Sequence, residues 1–227
     1  MSDLTLEQVD QDGAIRETLE TAWPGSRADF LRVALAGGGA VLASFAWAKE
    51  ADAATTRHDV SVLNFDLALE YLQAGFYTEA ERLGALKPKT LAWARVVGAH
   101  ERAHVKAIKG LLGRAAVKSP SFNYRGVTSN EAQFIKTAVA FEDLTTALLN
   151  YQIPRLDSRA IAAAALTLHS VESRHAAWIR HLIGIRPATT AFDEAVTQRR
   201  VSRIVAATGF IVSGPRTTRR KRPRFTG

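Results

Sequence analysis

Ala99-His100-Glu101-Arg102-Ala103-His104 is echoed further along the chain by Val171-Glu172-Ser173-Arg174-His175. Each segment contains Glu-x-x-His. On a helix, residues three apart project from neighbouring turns of one face. Each segment therefore offers a carboxylate and an imidazole to one point in space. Upstream of the first pair lies Glu70, in Asn64-Phe65-Asp66-Leu67-Ala68-Leu69-Glu70-Tyr71, and upstream of the second lies Glu142, in Ala140-Phe141-Glu142-Asp143-Leu144. The gaps Glu70 to Glu101 and Glu142 to Glu172 are 31 and 30 residues, so the halves read as copies of one helical hairpin.

The residues around these points carry helical periodicity and its punctuation. Val60, Leu63, Leu67, Ala74 and Tyr77 recur at spacings of three, four and their multiples. Gly84 suits the end of this first helix, and Pro88 the first turn of the next. That helix carries Leu91, Val96, His100, Glu101, His104 and Ile108 and ends near Gly113. Residues 114–127, with Pro120 and Gly126, read as a loop long enough to run the length of a bundle. Thr128-Ser129-Asn130-Glu131 reads as a capping box for a helix through Phe134, Ala138, Phe141, Glu142, Thr145 and Leu149, stopped by Pro154. Asp157 or Ser158 caps a fourth, Ala-rich helix holding Leu166, His169, Glu172, His175, Trp178 and Ile179, which Gly184 and Pro187 end. A fifth, shorter helix is expected over Phe192 to Thr208. Four helices joined by short, long and short loops predict an all-α four-helix bundle with one long crossover.

Such a bundle brings Glu70, Glu101, His104, Glu142, Glu172 and His175 to one level. A Glu from each of two helices and Glu-x-x-His from each of the other two is the ligand set of dinuclear iron and manganese carboxylate proteins. Charge supports the assignment: four glutamates balance two divalent ions. Ionised and without metal, the same carboxylates in an apolar core would repel one another and lose their hydration. With 12 Glu and 6 His in the chain, chance yields roughly 0.3 Glu-x-x-His matches. Two matches, each preceded by a helical glutamate at nearly equal distance, therefore carry weight. The bland reading makes Glu70 and Glu142 exposed helix residues and the histidines ordinary packing groups. A rival motif is His100-Glu101-Arg102-Ala103-His104, which also reads His-Glu-x-x-His, the zinc-protease signature. It leaves Glu70, Glu142 and the second hairpin unexplained, and no stretch reads as the neighbouring strand it needs.

Tyr77, Asp66, His100 and His169 are candidates for supporting the ligands. Tyr77 lies on the Glu70 face and could bond a ligand carboxylate or donate an electron. Trp93, Trp178 and Phe141 read as packing residues. The chain has no cysteine, which excludes disulfides, thiolate metal sites and a catalytic thiol.

The net charge of +8 is unevenly spread. Residues 192–227 hold nine Arg/Lys against Asp193 and Glu194, and the rest of the chain is close to neutral. The tail 213–227, with Arg216, Arg219, Arg220, Lys221, Arg222 and Arg224, is expected to be disordered alone. Its partners are phosphate groups of nucleic acid or anionic lipid, or it is a solvated tail or an assembly contact in a homo-oligomer. Residues 1–25 are acidic with scattered apolar positions, a short helical extension ended by Trp23-Pro24-Gly25. Residues 26–54 are apolar and Gly-rich, with Ala51-Asp52-Ala53 at the spacing of a signal-peptidase site. They resemble a twin-arginine export signal in which Ala28 stands where the second arginine belongs. Export to the periplasm or cell envelope and an ordinary helix in a cytoplasmic protein are the two readings.

Residues 58–185, and more loosely to Val212, resemble the bacterial ferritin-like domain family that includes desiccation-related and exported ferritin-like proteins. Asn64 to Tyr77, Ala99 to Lys109 and Glu142 to Asn150 carry the likeness. The resemblance implies a domain over residues 55–212 and a non-haem dinuclear centre at the six residues named, which would also be the catalytic ones. The leading expectation is a di-iron oxidoreductase of ferroxidase type, holding two iron ions and reacting with dioxygen or peroxide. The alternatives are a manganese-catalase-like centre with two manganese ions, and a non-enzymatic module that binds DNA or a surface through its tail.

Overall fold

The computed structural model describes residues 56–212. The expectations placed on residues 1–25, 26–54 and 213–227 lie outside them. The described residues form four long helices: α1 (Arg57–Leu83), α2 (Pro88–Leu112), α3 (Glu131–Gln152) and α4 (Arg159–Leu182). A short fifth, α5 (Gln198–Thr208), follows. The only strands described are β1 (Ser121–Phe122) and β2 (Ile211–Val212), a two-residue antiparallel pair. Among the described residues, no helix is long and apolar enough to cross a membrane.

The helix starts are set by side chains that accept otherwise unpaired N–H groups. Thr56, Asn130, Ser158 and Thr197 each cap the helix that follows by accepting from the backbone three residues on. Helix α2 has Pro88 in its first turn and no side-chain cap of its own. Glu131 supplies it instead, accepting from Lys87 N (2.9 Å) and Thr90 Oγ1 (2.6 Å). This corrects the expected capping box. Thr128 sits in a 3-10 turn with its hydroxyl on Glu79 (2.6 Å), Asn130 is the cap, and Glu131 is spent on another helix. The fifth helix also begins later than Phe192. Val196 is buried and its N donates to Ala147 O (2.8 Å), which holds the chain off a helical path until Thr197. Gly84 (φ 60°) ends α1 as expected.

Hydrogen bonds fix the helix directions. Near the start of α1, Asn64 bonds Ala115 O and Val117 N just past the end of α2. Asp59 accepts from Asp157 N and Ser158 N in the α3–α4 turn. At the opposite end, Glu131 joins the starts of α2 and α3. The crossover between α2 and α3 thus climbs the full bundle, and it does so along α1. Tyr71 donates to Val117 O, Tyr124 to Leu72 O (2.8 Å) and Thr128 to Glu79. At Gly75 a Cβ would collide with the Tyr124 hydroxyl, so the glycine lets the crossover lie this close.

The buried stripes form two apolar clusters. One is aromatic, centred on Phe76, which stacks on Phe134 with ring centroids 4.9 Å apart. Deleting a ring so fully enclosed costs about 3–5 kcal/mol. The other is aliphatic, with Leu67, Ile108, Leu149 and Ile161. Val96 and Leu166, read as members of these stripes, are 40% and 54% exposed. On α2 the stripe runs through Trp93, Ala94, Val97, Glu101 and His104, which leaves Val96 on the outer flank. On α4 it runs through Ala165, Leu168, Glu172 and His175, which does the same for Leu166.

Candidate metal centre

Between the two apolar clusters lies one polar layer. Glu70 comes from α1, Glu101 and His104 from α2, Glu142 from α3, and Glu172 and His175 from α4. All six are buried to within 2% of complete. Each sits on its helix's apolar stripe, so the packing that buries the stripe also carries the polar groups inward. Gly98 aids this on α2. A Cβ there would lie 2.8 Å from Tyr77 Cβ, so glycine lets α2 approach α1 closely just before Glu101.

The six side chains fall into two overlapping sets. Glu70, Glu101, His104 and Glu172 form one, and Glu101, Glu142, Glu172 and His175 the other, with ligand atoms in each set all within 4.8 Å of one another. Glu101 and Glu172 belong to both. His104 Nδ1 lies 3.3 Å from Glu70, 3.8 Å from Glu101 and 2.9 Å from Glu172. His175 Nδ1 lies 3.3 Å from Glu101, 3.1 Å from Glu142 and 3.7 Å from Glu172.

These contacts are mostly not hydrogen bonds. Glu70 Oε2, both oxygens of Glu101, both of Glu172 and His104 Nδ1 make none, despite full burial. His104 Nδ1 and Glu172 Oε1 are close enough but wrongly angled. A buried, unpaired carboxylate oxygen costs several kcal/mol by order of magnitude. Several converging from α1, α2 and α4, beside the bonded Glu142 of α3, is the arrangement of a site that divalent ions complete. Carboxylate and imidazole donors suit iron, manganese or zinc, and two shared glutamates suit a pair of ions. The residues present therefore fit a dinuclear centre.

Electrostatics without metal supports that fit. Burial, reinforced by the charge of Glu101, pushes the Glu70 carboxyl well up, and burial raises Glu142 to about 8. Burial also opposes charge on Glu101 and Glu172, but the two imidazoles outweigh it and hold both carboxyls below the usual range. Burial likewise opposes charge on His104 and His175, and the surrounding carboxylates overcome it and raise both. Two anions, two imidazolium cations and two neutral acids balance to zero. Two divalent ions with four carboxylates and neutral imidazoles balance to zero as well.

The supporting residues divide. Tyr77, fully buried, donates its hydroxyl proton in a short hydrogen bond to Glu142 Oε1. His100 Nδ1 lies 2.9 Å from His175 Nε2. With His175 Nδ1 facing the carboxylates, Nε2 carries the proton and donates to His100, which orients the ring. Nothing in the His100 segment could name its partner, which sits in the other hairpin. Asp66 and His169 make no hydrogen bond to any of the six. Asp66 instead receives the Gln152 amide, and burial lifts its carboxyl to about 8. His169 keeps a buried Nε2 without a hydrogen-bond partner among the described residues, and burial lowers its basicity. Phe141 and Trp93 pack as expected, whereas Trp178 is 40% exposed.

No curated protein matches the sequence significantly. Residues 58–185, more than half of the chain and the stretch that holds all six buried side chains, match the model of the ferritin-like domain, and the chain belongs to that family.

Proposed function

We propose that the protein is a di-iron oxidoreductase of ferroxidase type, acting on Fe(II) with dioxygen or peroxide as oxidant. The observation that carries this reading is the pair of donor sets sharing Glu101 and Glu172. A carboxylate common to both donor sets would hold two ions side by side, which would suit a reaction that moves electrons in pairs. When bound, the ions supply the redox change and the coordination positions for the oxidant.

The chain's own residues do the rest. Glu70 and His104 hold one side of the centre, and Glu142 and His175 the other. Tyr77 fixes Glu142 through its hydroxyl, and His100 fixes the ring of His175. The aromatic cluster closes one end of the polar layer and the aliphatic cluster the other, which excludes bulk water. Glu142, raised by burial, is suited to hold a proton as charge at the centre changes.

The test follows ferrous ion with a ferrous-specific chelator in air, in the intact chain and in Glu172→Ala. The reading expects Fe(II) to disappear faster than in buffer, and the variant to lose the acceleration. Equal rates with and without protein, under conditions where iron is bound, would overturn it. Peroxide disproportionation by manganese-loaded protein, with no ferrous oxidation, would replace it with the catalase alternative.

A further inference from the structure

Charge is divided unevenly between the two pairs of helices. Histidines aside, every charged side chain of α2 and α4 outside the centre is a Lys or Arg, whereas the acids outside the centre sit on α1 and α3. Each of those acids is engaged. Asp59 accepts from the backbone of the α3–α4 turn, Asp66 from the Gln152 amide, Glu79 from the Thr128 hydroxyl and Glu131 from the start of α2. Glu81 pairs with Arg102 at 2.9 Å, and Asp143 pairs with Arg180. The cations left on α2 and α4 are Lys89, Arg95, Lys106, Lys109, Arg159 and Arg174. All are exposed, and none has an acidic partner among the described residues. The crossover lies along α1 and α5 packs against α3, so the seam between α2 and α4 stays open. Trp93 meets Trp178 and His100 meets His175 across it, which fixes the side of α2 that faces α4. Lys89, Val96 and Ala103 stand on that side at intervals of two helical turns, and Arg174 stands one turn before Trp178. Val96 and Trp178 are both 40% exposed. From Lys89 to Lys106 the cations span about 25 Å of helix.

We propose that the face shared by α2 and α4 docks the bundle on an anionic lipid surface, with the cations on the headgroups and Trp178 and Val96 against the first acyl carbons. The docking face stands apart from the chemistry of the centre and from the basic tail. Tryptophan on a positively charged surface favours the level between headgroups and acyl chains. A bilayer is flat, which matches a face laid out along two helices side by side. Duplex nucleic acid would take the cations but leave Val96 in water. A second copy would set this row of cations against its own like. Among the described residues no helix is long and apolar enough to cross a membrane, so the contact is with the surface. Each Lys or Arg beside an anionic bilayer strengthens adsorption about fivefold. Two partly exposed apolar side chains add little by comparison, so charge dominates the attachment and the apolar pair sets its orientation.

The experiment sediments the full chain with vesicles of phosphatidylglycerol and phosphatidylcholine, and with vesicles of phosphatidylcholine alone. The proposal expects retention on the anionic vesicles only, weakening as salt is raised because the cations are exposed. Lys89→Gln, Arg95→Gln, Lys106→Gln and Arg174→Gln together should lower the partition coefficient by on the order of a few hundred-fold. A matched variant carrying Arg57→Gln, Arg82→Gln, Lys118→Gln and Lys136→Gln removes the same charge from elsewhere on the body and should lower it by about tenfold or less. All eight positions are exposed, and an unchanged thermal melt checks that both variants fold. Equal losses in the two variants would overturn the proposal, as would retention that is lost only on deleting residues 213–227. Retention on phosphatidylcholine alone would mean apolar insertion elsewhere in the chain and would overturn it too. Retention of duplex DNA but not of vesicles would give the face to nucleic acid, with the same consequence. A second arm uses lipids brominated on the acyl chains, which quench tryptophan on contact. The chain then carries Trp23→Phe and Trp47→Phe, so that only Trp93, which is buried, and Trp178 remain. Quenching should appear on the anionic vesicles and vanish in Trp178→Phe. Retention without quenching, or quenching that persists in Trp178→Phe, would show that another face meets the lipid.

Discussion

Metal uptake by this site should expel protons, and their number follows from the six side chains. At pH 7 in metal-free protein, Glu70 and Glu142 hold protons because burial raises both, Glu142 to about 8. His104 and His175 are cationic because the neighbouring carboxylates raise them. A ligating carboxylate is ionised, and a ligating imidazole carries no proton on the nitrogen that binds. Filling the centre with two divalent ions therefore releases about four protons. Each proton contributes about 1.4 kcal/mol per pH unit. Lowering the pH by one unit should thus weaken the overall two-ion binding by about 5 kcal/mol, on the order of ten-thousand-fold. Affinity rises with pH until Glu142 and Glu70 are ionised in the empty site, and the slope then flattens. Calorimetric titration with Fe(II) under anaerobic conditions, in buffers of different ionisation heat, counts the protons directly. A count near zero would mean that the six groups do not hold the charges described, and the electrostatic account would fail.

Two further perturbations read the scaffold around the site. Asp66, lifted to about 8 by burial, holds a proton in the folded chain that the unfolded chain has lost above about pH 4. It therefore contributes destabilisation that grows as pH rises from 4 towards 8. Asp66→Asn should raise stability by up to about 5 kcal/mol at pH 8 and little at pH 4. Denaturant midpoints at the two pH values check this, and a gap that does not widen with pH would contradict it. Asp59 is fully buried and accepts from Asp157 N (2.9 Å) and Ser158 N (3.1 Å). Asp59→Ala leaves both donors without their acceptor and should cost about 3 kcal/mol in thermal or denaturant unfolding. A loss under about 0.5 kcal/mol would place it with ordinary surface substitutions.

Helix number, loop order and the level at which the six side chains meet were legible in the chain because each leaves a local trace. Gly84, Pro88, Ser158 and Gly184 punctuate helices through their own backbone preferences. Glu-x-x-His repeats because two residues three apart share a face. What was not legible depends on neighbours distant in sequence. Glu131 caps α2 rather than its own helix because the bundle brings the two starts together. Asp59 looks like an exposed acid of a first turn until the α3–α4 turn closes over it. Asp66, one turn before Glu70, faces Gln152 and not the centre. Periodicity also cannot place the edges of a stripe. Val96, Leu166 and Trp178 are apolar residues that share a helix with the buried face yet fall outside it.

The central claim is that two ions share Glu101 and Glu172, and elemental analysis of natively expressed protein and its variants tests it most directly. The intact chain should carry about two metal ions. Glu70→Ala should keep about one, because it touches a single donor set. Glu101→Ala should keep fewer than one, because it removes a ligand from both. Equal metal content in all three proteins, or none in the intact chain, would contradict the account.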